Sequence, residues 1–128
     1  MGRDKRAHPR VKLIKWPAKV LIEDETIEAV TRNISVTGAF LYYIQSHGYD
    51  LPFRSDEQVG LILEPPGRAP LRICAEVVWS DVLNSDEKTT VLGAGLRFTD
   101  VSYEDRQFLH DFIAKSTRNK SLRNGNVK

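Results

Sequence analysis

The sequence has few of the features that mark a secreted protein or a membrane protein. It contains one cysteine, Cys74, so no disulfide can form within the chain. No apolar run approaches the roughly 20 residues of a membrane span, and the first residues are polar and basic, which favours the cytosol. Cys74 stands in the apolar alternation of Ile73, Ala75 and Val77, where a buried small side chain is expected.

Signatures of catalysis are also missing. The three histidines, His8, His47 and His110, stand in separate segments without the spacing of a metal site. No glycine-rich phosphate loop precedes a helix, and no serine lies in a nucleophile elbow. The sequence therefore argues against an enzyme and against a bound metal or redox cofactor.

Charge is distributed unevenly along the chain. Residues 1–15 contain six Lys or Arg against one Asp, and residues 115–128 contain five basic residues and no acidic one. Since the whole chain has a net charge of +2, the segment between them is acidic. Binding along a nucleic acid requires many phosphate-neutralising cations on one face, which an acidic body does not provide. The pattern fits a compact anion held by a basic arm.

The middle of the chain is typical of an antiparallel sheet or barrel. Six extended stretches are separated by turn residues, and we place them at 11–22 with an interruption at Trp16-Pro17, 26–35, 38–44, 58–63, 71–79 and 91–98. Ser102 is a suitable N-cap for an amphipathic helix from about Tyr103 to Lys115, whose apolar stripe would cover one barrel opening. The length of 128 residues fits one domain with short tails. We expect a basic arm at 1–10, a barrel with its closing helix at 11–115, and a basic flexible tail at 116–128.

Two arginines four residues apart, Arg6 and Arg10, lie on the basic arm. Pro9 disfavours a helix there, and in an extended chain residues four apart point the same way at a separation of about 13 Å. A guanidinium can hold a phosphate bidentately, pair with O6 and N7 of guanine, or stack on a flat base. Such a pair can grip a ligand from two sides, although a solvated basic tail could have the same sequence.

The second motif is the segment from Asn33 to Gly38, which lies where one predicted strand ends and the next begins. Alternation places Asn33 and Ser35 on one face, where an amide and a hydroxyl can hydrogen-bond a base edge or a phosphate. Gly38 permits a positive φ or the close approach of a ligand to the backbone. An ordinary polar turn would use the same residue types.

Together the two motifs resemble the signature of the PilZ domain family, an Arg-x-x-x-Arg arm followed by an (Asp/Asn)-x-Ser-x-x-Gly turn. The matching residues are Arg6 and Arg10 in the arm and Asn33, Ser35 and Gly38 in the turn. The resemblance continues through the later strands and the closing helix, and so covers the chain from about Lys5 to Lys115. Its further matches are Glu76-Val77-Val78-Trp79 and Gly93 to Thr99.

The resemblance implies a mostly β fold, a six-stranded antiparallel barrel with one C-terminal helix. It also implies a non-enzymatic receptor for cyclic diguanylate (c-di-GMP), a bacterial second messenger with two guanines and two phosphates. Arg6 and Arg10 would contact phosphate and guanine, while Asn33, Ser35 and Gly38 would form the barrel side of the site. Ordering of the arm on binding would transmit the signal to a downstream protein partner.

Two further residues are implied by the resemblance. Lys5 would add charge to the arm. Trp79 matches a position where some members of the family stack an aromatic side chain on the ligand, although the alternation from Leu71 onward equally fits a core position.

The sequence departs from the family pattern in two places. Asn33 stands where Asp is the commoner choice, which keeps hydrogen bonding but removes a carboxylate that could pair with an arginine. The segment from Gln45 to Glu57 is longer than usual, and its Tyr49, Phe53 and Arg54 have no assigned contact. Two alternatives remain open, a protein-interaction module of the same fold that binds no nucleotide and a small barrel that binds single-stranded nucleic acid.

Overall fold

The computed structural model describes residues 11–12, 14–45, 54–86 and 88–127. Arg6, Arg10 and Lys5 lie outside these residues, as do Tyr49 and Phe53, so the expectations for them stay predictions. In chain order, the elements are β1 (Val11–Lys12), β2 (Pro17–Ile22), β3 (Glu25–Ile34), β4 (Gly38–Gln45), β5 (Gln58–Leu63), β6 (Leu71–Ser85), β7 (Thr90–Val101) and α1 (Tyr103–Val127).

Six of the strands close into an antiparallel barrel. Their order is β3-β2-β5-β6-β7-β4, and β4 pairs in turn with β3, so that each strand has a hydrogen-bonded neighbour on both sides. The short strand β1 pairs with the end of β3 that lies beyond β2. The expected six-stranded antiparallel barrel with one C-terminal helix is confirmed.

Alternate side chains of each strand fill the barrel interior. In β6 the buried residues include Ile73, Ala75 and Val77, which confirms the period of two expected there. Cys74 is exposed, so the expectation of a buried cysteine is wrong. The apolar residues on either side of Cys74 take the inward positions, and the pleat turns the residue between them outward.

A β-bulge interrupts this alternation in the middle of β6. Val77 pairs with Leu96 and Trp79 pairs with Gly95, which leaves Val78 as an extra residue. One extra residue moves the side chains that follow it to the opposite face of the strand, here as far as the next irregularity between Val82 and Asn84. Val78 and Trp79 are 53% and 37% exposed, so a core position for Trp79 is wrong.

Helix α1 packs its apolar stripe against the barrel, as its sequence predicts. The expected N-cap forms, since Ser102 Oγ accepts a hydrogen bond from the Asp105 N–H at 3.1 Å. Leu109 and Ile113 are buried, and the Phe112 ring lies 5.1 Å from that of the buried Trp16. Aromatic packing against Trp16, in the segment between β1 and β2, therefore helps to hold the helix on the barrel.

The backbone of α1 continues to Val127, whereas the sequence places its end near Lys115. The residues directly beyond the apolar stripe include Lys, Arg and Leu and contain no proline, so the helix can continue past Lys115. Within the described residues, no helix combines the length and the apolar character required to cross a membrane.

A buried threonine spans the interruption that the sequence predicts at Trp16-Pro17. This interruption separates β1 from β2. Thr31 of β3 is fully buried, and its Oγ1 accepts a hydrogen bond from the Trp16 N–H at 2.9 Å and donates one to the Ile14 carbonyl. The hydroxyl thus provides partners for backbone groups that have left the regular ladder.

We expect Thr31→Val to lower the free energy of unfolding by about 1–3 kcal/mol, because valine leaves the Trp16 N–H and the Ile14 carbonyl without a partner. Urea denaturation measures the change. Thr26→Val, at an exposed position of the same strand, is the matched control and should change stability by less than about 0.5 kcal/mol. Equal losses in the two variants would contradict the role of the Thr31 hydroxyl.

Candidate functional site

A surface pocket of about 330 Å³ lies beside the turn between β3 and β4. Its lining comes from β3, β4, β6 and β7, and includes Asn33, Ser35, Gly38, Phe40, Trp79 and Arg97. The fold thus brings the three turn residues of the sequence motif together with Trp79, which is 41 residues away from Gly38 in the chain. This grouping depends on the barrel closure through β3 and β4 and on the bulge in β6.

Ser35 holds the turn in shape. It is 5% exposed, and its Oγ accepts hydrogen bonds from the backbone N–H groups of Thr37 at 3.2 Å and Gly38 at 3.1 Å. Its own N–H donates to the Gly38 carbonyl at 2.9 Å. Serine often stabilises turns through such local bonds. Because the Oγ already accepts two hydrogen bonds, Ser35 acts first on the conformation of the turn.

Gly38 is explained by the approach of a neighbouring strand. Its φ is not positive, which excludes one of the two possibilities that the sequence allows for this glycine. A Cβ atom at Gly38 would collide with the carbonyl oxygen of Leu96 on β7. Glycine is therefore required at residue 38 by a contact between two strands of the barrel. A local sequence motif cannot reveal this contact.

Asn33 is half-buried near the end of β3. Its backbone pairs with Lys12 of β1 on one side and Phe40 of β4 on the other, next to an irregularity between Thr31 and Asn33. Its side chain makes no hydrogen bond to another residue that the structure describes. An amide with a donor and an acceptor thus lines the pocket and can bind either kind of group.

Phe40 and Trp79 form the aromatic side of the pocket. Their ring centroids lie 5.0 Å apart at 67°, an edge-to-face arrangement. The Arg32 guanidinium lies 5.9 Å from the centroid of the Phe40 ring, within the range of a cation–π contact. Sequence reasoning missed both Phe40 and Arg32, since each looks like an ordinary strand residue until the neighbouring strands are known.

Arg97 is the one charged residue among the described residues that line the pocket. Its Nη2 forms an ion pair with Oε1 of Glu76, and the two side chains are 58% and 19% exposed. An exposed pair of this kind contributes little to stability. It does offset the guanidinium charge, so the residues that line the pocket carry little net charge, and Arg32 adds a positive charge beside Phe40.

Two other titratable residues that the sequence analysis mentions, Arg54 and His110, do not line the pocket. Arg54 is exposed, and its backbone N–H donates to Glu57 Oε1 at 2.9 Å outside the pocket. His110 is exposed on α1. In the described ranges, no three His, Cys, Asp or Glu side chains come together as a metal site would require.

The family model described as the PilZ domain matches residues 4–115 of this chain. The match includes both arginines of the arm, the whole barrel and the first half of α1. None of the curated proteins matches the sequence.

Solved structures of three proteins share the fold. The Bacillus subtilis inhibitor of motility (MotI/DgrA) has a TM-score of 0.72 at 21% identity, over 92% of this chain and 53% of that chain. The PilZ domain of YcgR from Escherichia coli, solved with c-di-GMP, has a TM-score of 0.70 at 13% identity, over 95% of this chain and 98% of that chain. The MrkH–c-di-GMP complex of K. pneumonia has a TM-score of 0.74 at 15% identity, over 94% of this chain and 56% of that chain. This chain therefore spans about half the length of MotI and MrkH and nearly all of the isolated YcgR domain.

We expect Ser35→Ala to destabilise the protein by about 1 kcal/mol, because two backbone N–H groups of the turn lose their acceptor. Thermal or urea unfolding measures the effect. Ser55→Ala removes an exposed hydroxyl with one long contact of 3.5 Å, and this control should be nearly neutral. A neutral Ser35→Ala would show that the turn does not depend on this hydroxyl.

Proposed function

The chain belongs to the PilZ domain family, and we propose that it is a receptor module that binds cyclic diguanylate between its basic arm and the barrel pocket. PilZ domains are receptor and regulator domains and not enzymes. Structures of YcgR and MrkH contain this nucleotide. The observation that carries the proposal for this chain is the point at which the arm joins the barrel.

The arm is attached directly beside the polar turn. Val11, the residue that follows Arg10, pairs with Ile34, and Lys12 pairs with Asn33. Consecutive Cα atoms lie about 3.8 Å apart, so the covalent link to Val11 would allow Arg10 to reach a ligand in the pocket. Arg6, the other arginine of the motif, precedes Arg10 by four residues, and an extended chain of that length spans roughly a further 13 Å. Both guanidiniums can therefore meet a ligand seated at Asn33.

The charges of arm and pocket complement each other for such a ligand. The residues that line the pocket carry little net charge, because Glu76 offsets Arg97, and Arg32 beside Phe40 adds one positive charge. Residues 1–15 contain six basic residues against one acidic residue. Two phosphates would thus be neutralised by the arm, through bidentate and charge-assisted hydrogen bonds that Arg6 and Arg10 can form.

The pocket itself suits the flat, polar edge of a purine. The aromatic pair of Phe40 and Trp79 provides a surface for stacking, which contributes about 1–3 kcal/mol per base in nucleic-acid complexes. The Asn33 amide can donate to and accept from a base edge. In this proposal Ser35 and Gly38 maintain the conformation of the turn that follows Asn33.

We further propose that ligand binding brings the arm over the pocket, and that a protein partner recognises the surface formed in this way. Fixing the backbone of each arm residue costs about 1–2 kcal/mol, so several charge-assisted hydrogen bonds are needed to offset the cost. A ligand with two phosphates can provide them, whereas a single weak contact cannot.

We expect Arg6→Ala and Arg10→Ala each to weaken c-di-GMP binding by roughly tenfold or more, since each removes charge-assisted hydrogen bonds worth about 1.5–3 kcal/mol. Isothermal titration calorimetry measures the affinity. Arg3→Ala removes the same charge from the arm outside the motif and is the matched control, with a much smaller effect.

The same titration separates the alternatives. GTP, cyclic diadenylate and a short single-stranded RNA should give little heat, and the thermal stability of the arginine variants should match that of the wild type. Heat with RNA alone would favour the nucleic-acid-binding alternative. No heat with c-di-GMP would leave the protein-interaction module, and a large loss of stability in the variants would mean that the arginines are structural.

Ligand-dependent protection of the arm tests the second part of the proposal. We expect saturating c-di-GMP to slow tryptic cleavage after Arg6 and Arg10, because bound arm residues must detach before a protease can cut them. Mass spectrometry of the early fragments measures both sites. Cleavage after Arg118 and Lys120 serves as the internal control and should keep its rate. Equal rates at Arg6 and Arg10 with and without ligand would contradict arm ordering.

A further inference from the structure

Two glycines of β7 lie under side chains of β6. A Cβ atom at Gly95 would lie 2.8 Å from Cδ1 and 2.9 Å from Cε2 of Trp79, and one at Gly93 would lie 2.8 Å from Cδ1 of Leu83. Carbon atoms in favourable contact are about 3.5–4.0 Å apart. The Trp79 indole therefore occupies the space that any side chain at residue 95 would need.

The indole is held from a second direction by the aromatic pair. The edge-to-face contact with Phe40 places the two ring centroids 5.0 Å apart. In the ladder, Trp79 is the register partner of Gly95, directly after the bulge at Val78. Backbone of β7 beneath the indole and the Phe40 ring beside it thus fix the position of Trp79, although 37% of the residue remains exposed.

We propose that Gly95 is a positioning residue of the ligand site. Because it has no side chain, the Trp79 indole can lie against β7 and form one wall of the pocket, ready to stack on a base. The ligand-binding part of this inference rests on the proposed function. The placement of the indole does not, and it can be measured without ligand.

The first test observes the indole directly in the free protein. The chain has two tryptophans, so an ¹⁵N–¹H spectrum contains two indole Nε1–H signals, and Trp79→Ala identifies the one from Trp79. We expect Gly95→Ala to shift the Trp79 signal and to leave the Trp16 signal in place. Gly60→Ala is the matched control, since a Cβ atom there would meet Leu21 at an ordinary 3.4 Å. An unmoved Trp79 signal in Gly95→Ala would overturn the inference.

The second test asks whether Gly95 acts through Trp79. We expect Gly95→Ala to weaken c-di-GMP binding by about tenfold, as loss of a stacking surface does. In a Trp79→Ala background the same substitution should change the affinity less than about twofold, because no indole remains to be displaced. Equal losses in the two backgrounds would mean that Gly95 acts independently of Trp79, and would overturn the inference.

Folding of the variants gives a further decision. Should Gly95→Ala fail to fold, Trp79→Ala/Gly95→Ala should fold again, since it removes the steric conflict. Failure of both would assign Gly95 to the backbone of the barrel and would overturn the inference. A wild-type protein that gives no heat with c-di-GMP contradicts the proposed function, while the indole signals still decide the role of Gly95.

Discussion

The pairing of Val11 and Lys12 with Ile34 and Asn33 is the constraint that connects the arm to the pocket. The two-residue strand β1 forms few backbone hydrogen bonds. In the interruption between β1 and β2, the Thr31 hydroxyl hydrogen-bonds the Trp16 N–H and the Ile14 carbonyl. Strand β3 therefore has two roles. Its middle anchors the start of the barrel, and its end carries the polar turn. In the proposed site, a ligand that contacts Asn33 would lie beside the place where β1 pairs with β3.

The aromatic wall arises from the register of β6. The extra residue Val78 turns Trp79 from the core side to the surface, and the backbone there is held by hydrogen bonds with the segment before β5. The Asp56 N–H donates to the Val77 carbonyl at 2.7 Å, and the Val77 N–H donates to the Glu57 carbonyl at 2.8 Å. A β-bulge often redirects a side chain in this way near a functional site. The indole can then lie close against β7 because Gly95, its register partner, has no side chain.

Local patterns predict the fold well and the details of the site less well. The stretch 58–63 is a strand with the predicted bounds, and Ser102 caps the helix as its chemistry suggests. Cys74 shows the limit of such patterns, since the correct period of two places it outward while its apolar neighbours suggest burial. The position of Trp79 and the need for glycine at Gly38 both depend on β7, a strand that is distant in sequence. The extra residue Val78 decides the first, and the close approach of the Leu96 carbonyl decides the second. No short motif contains that information. The contacts of Arg6 and Arg10 fall outside the described residues, so their assignment still depends on the family signature.

The proposed site divides recognition between two parts of the chain. The described pocket wall contributes shape, an aromatic surface and the Asn33 amide, while its Arg97 charge is offset by Glu76. The arm contributes charge and little shape. A simple phosphate would satisfy the arm alone, and an uncharged purine would satisfy the pocket alone. Only a ligand with both features, at a separation that the arm can span, gains from the two together, because the first contact raises the effective concentration of the second. In the proposed site the acidic body would add to this selectivity, since it would repel an extended polyanion that a basic arm by itself would attract.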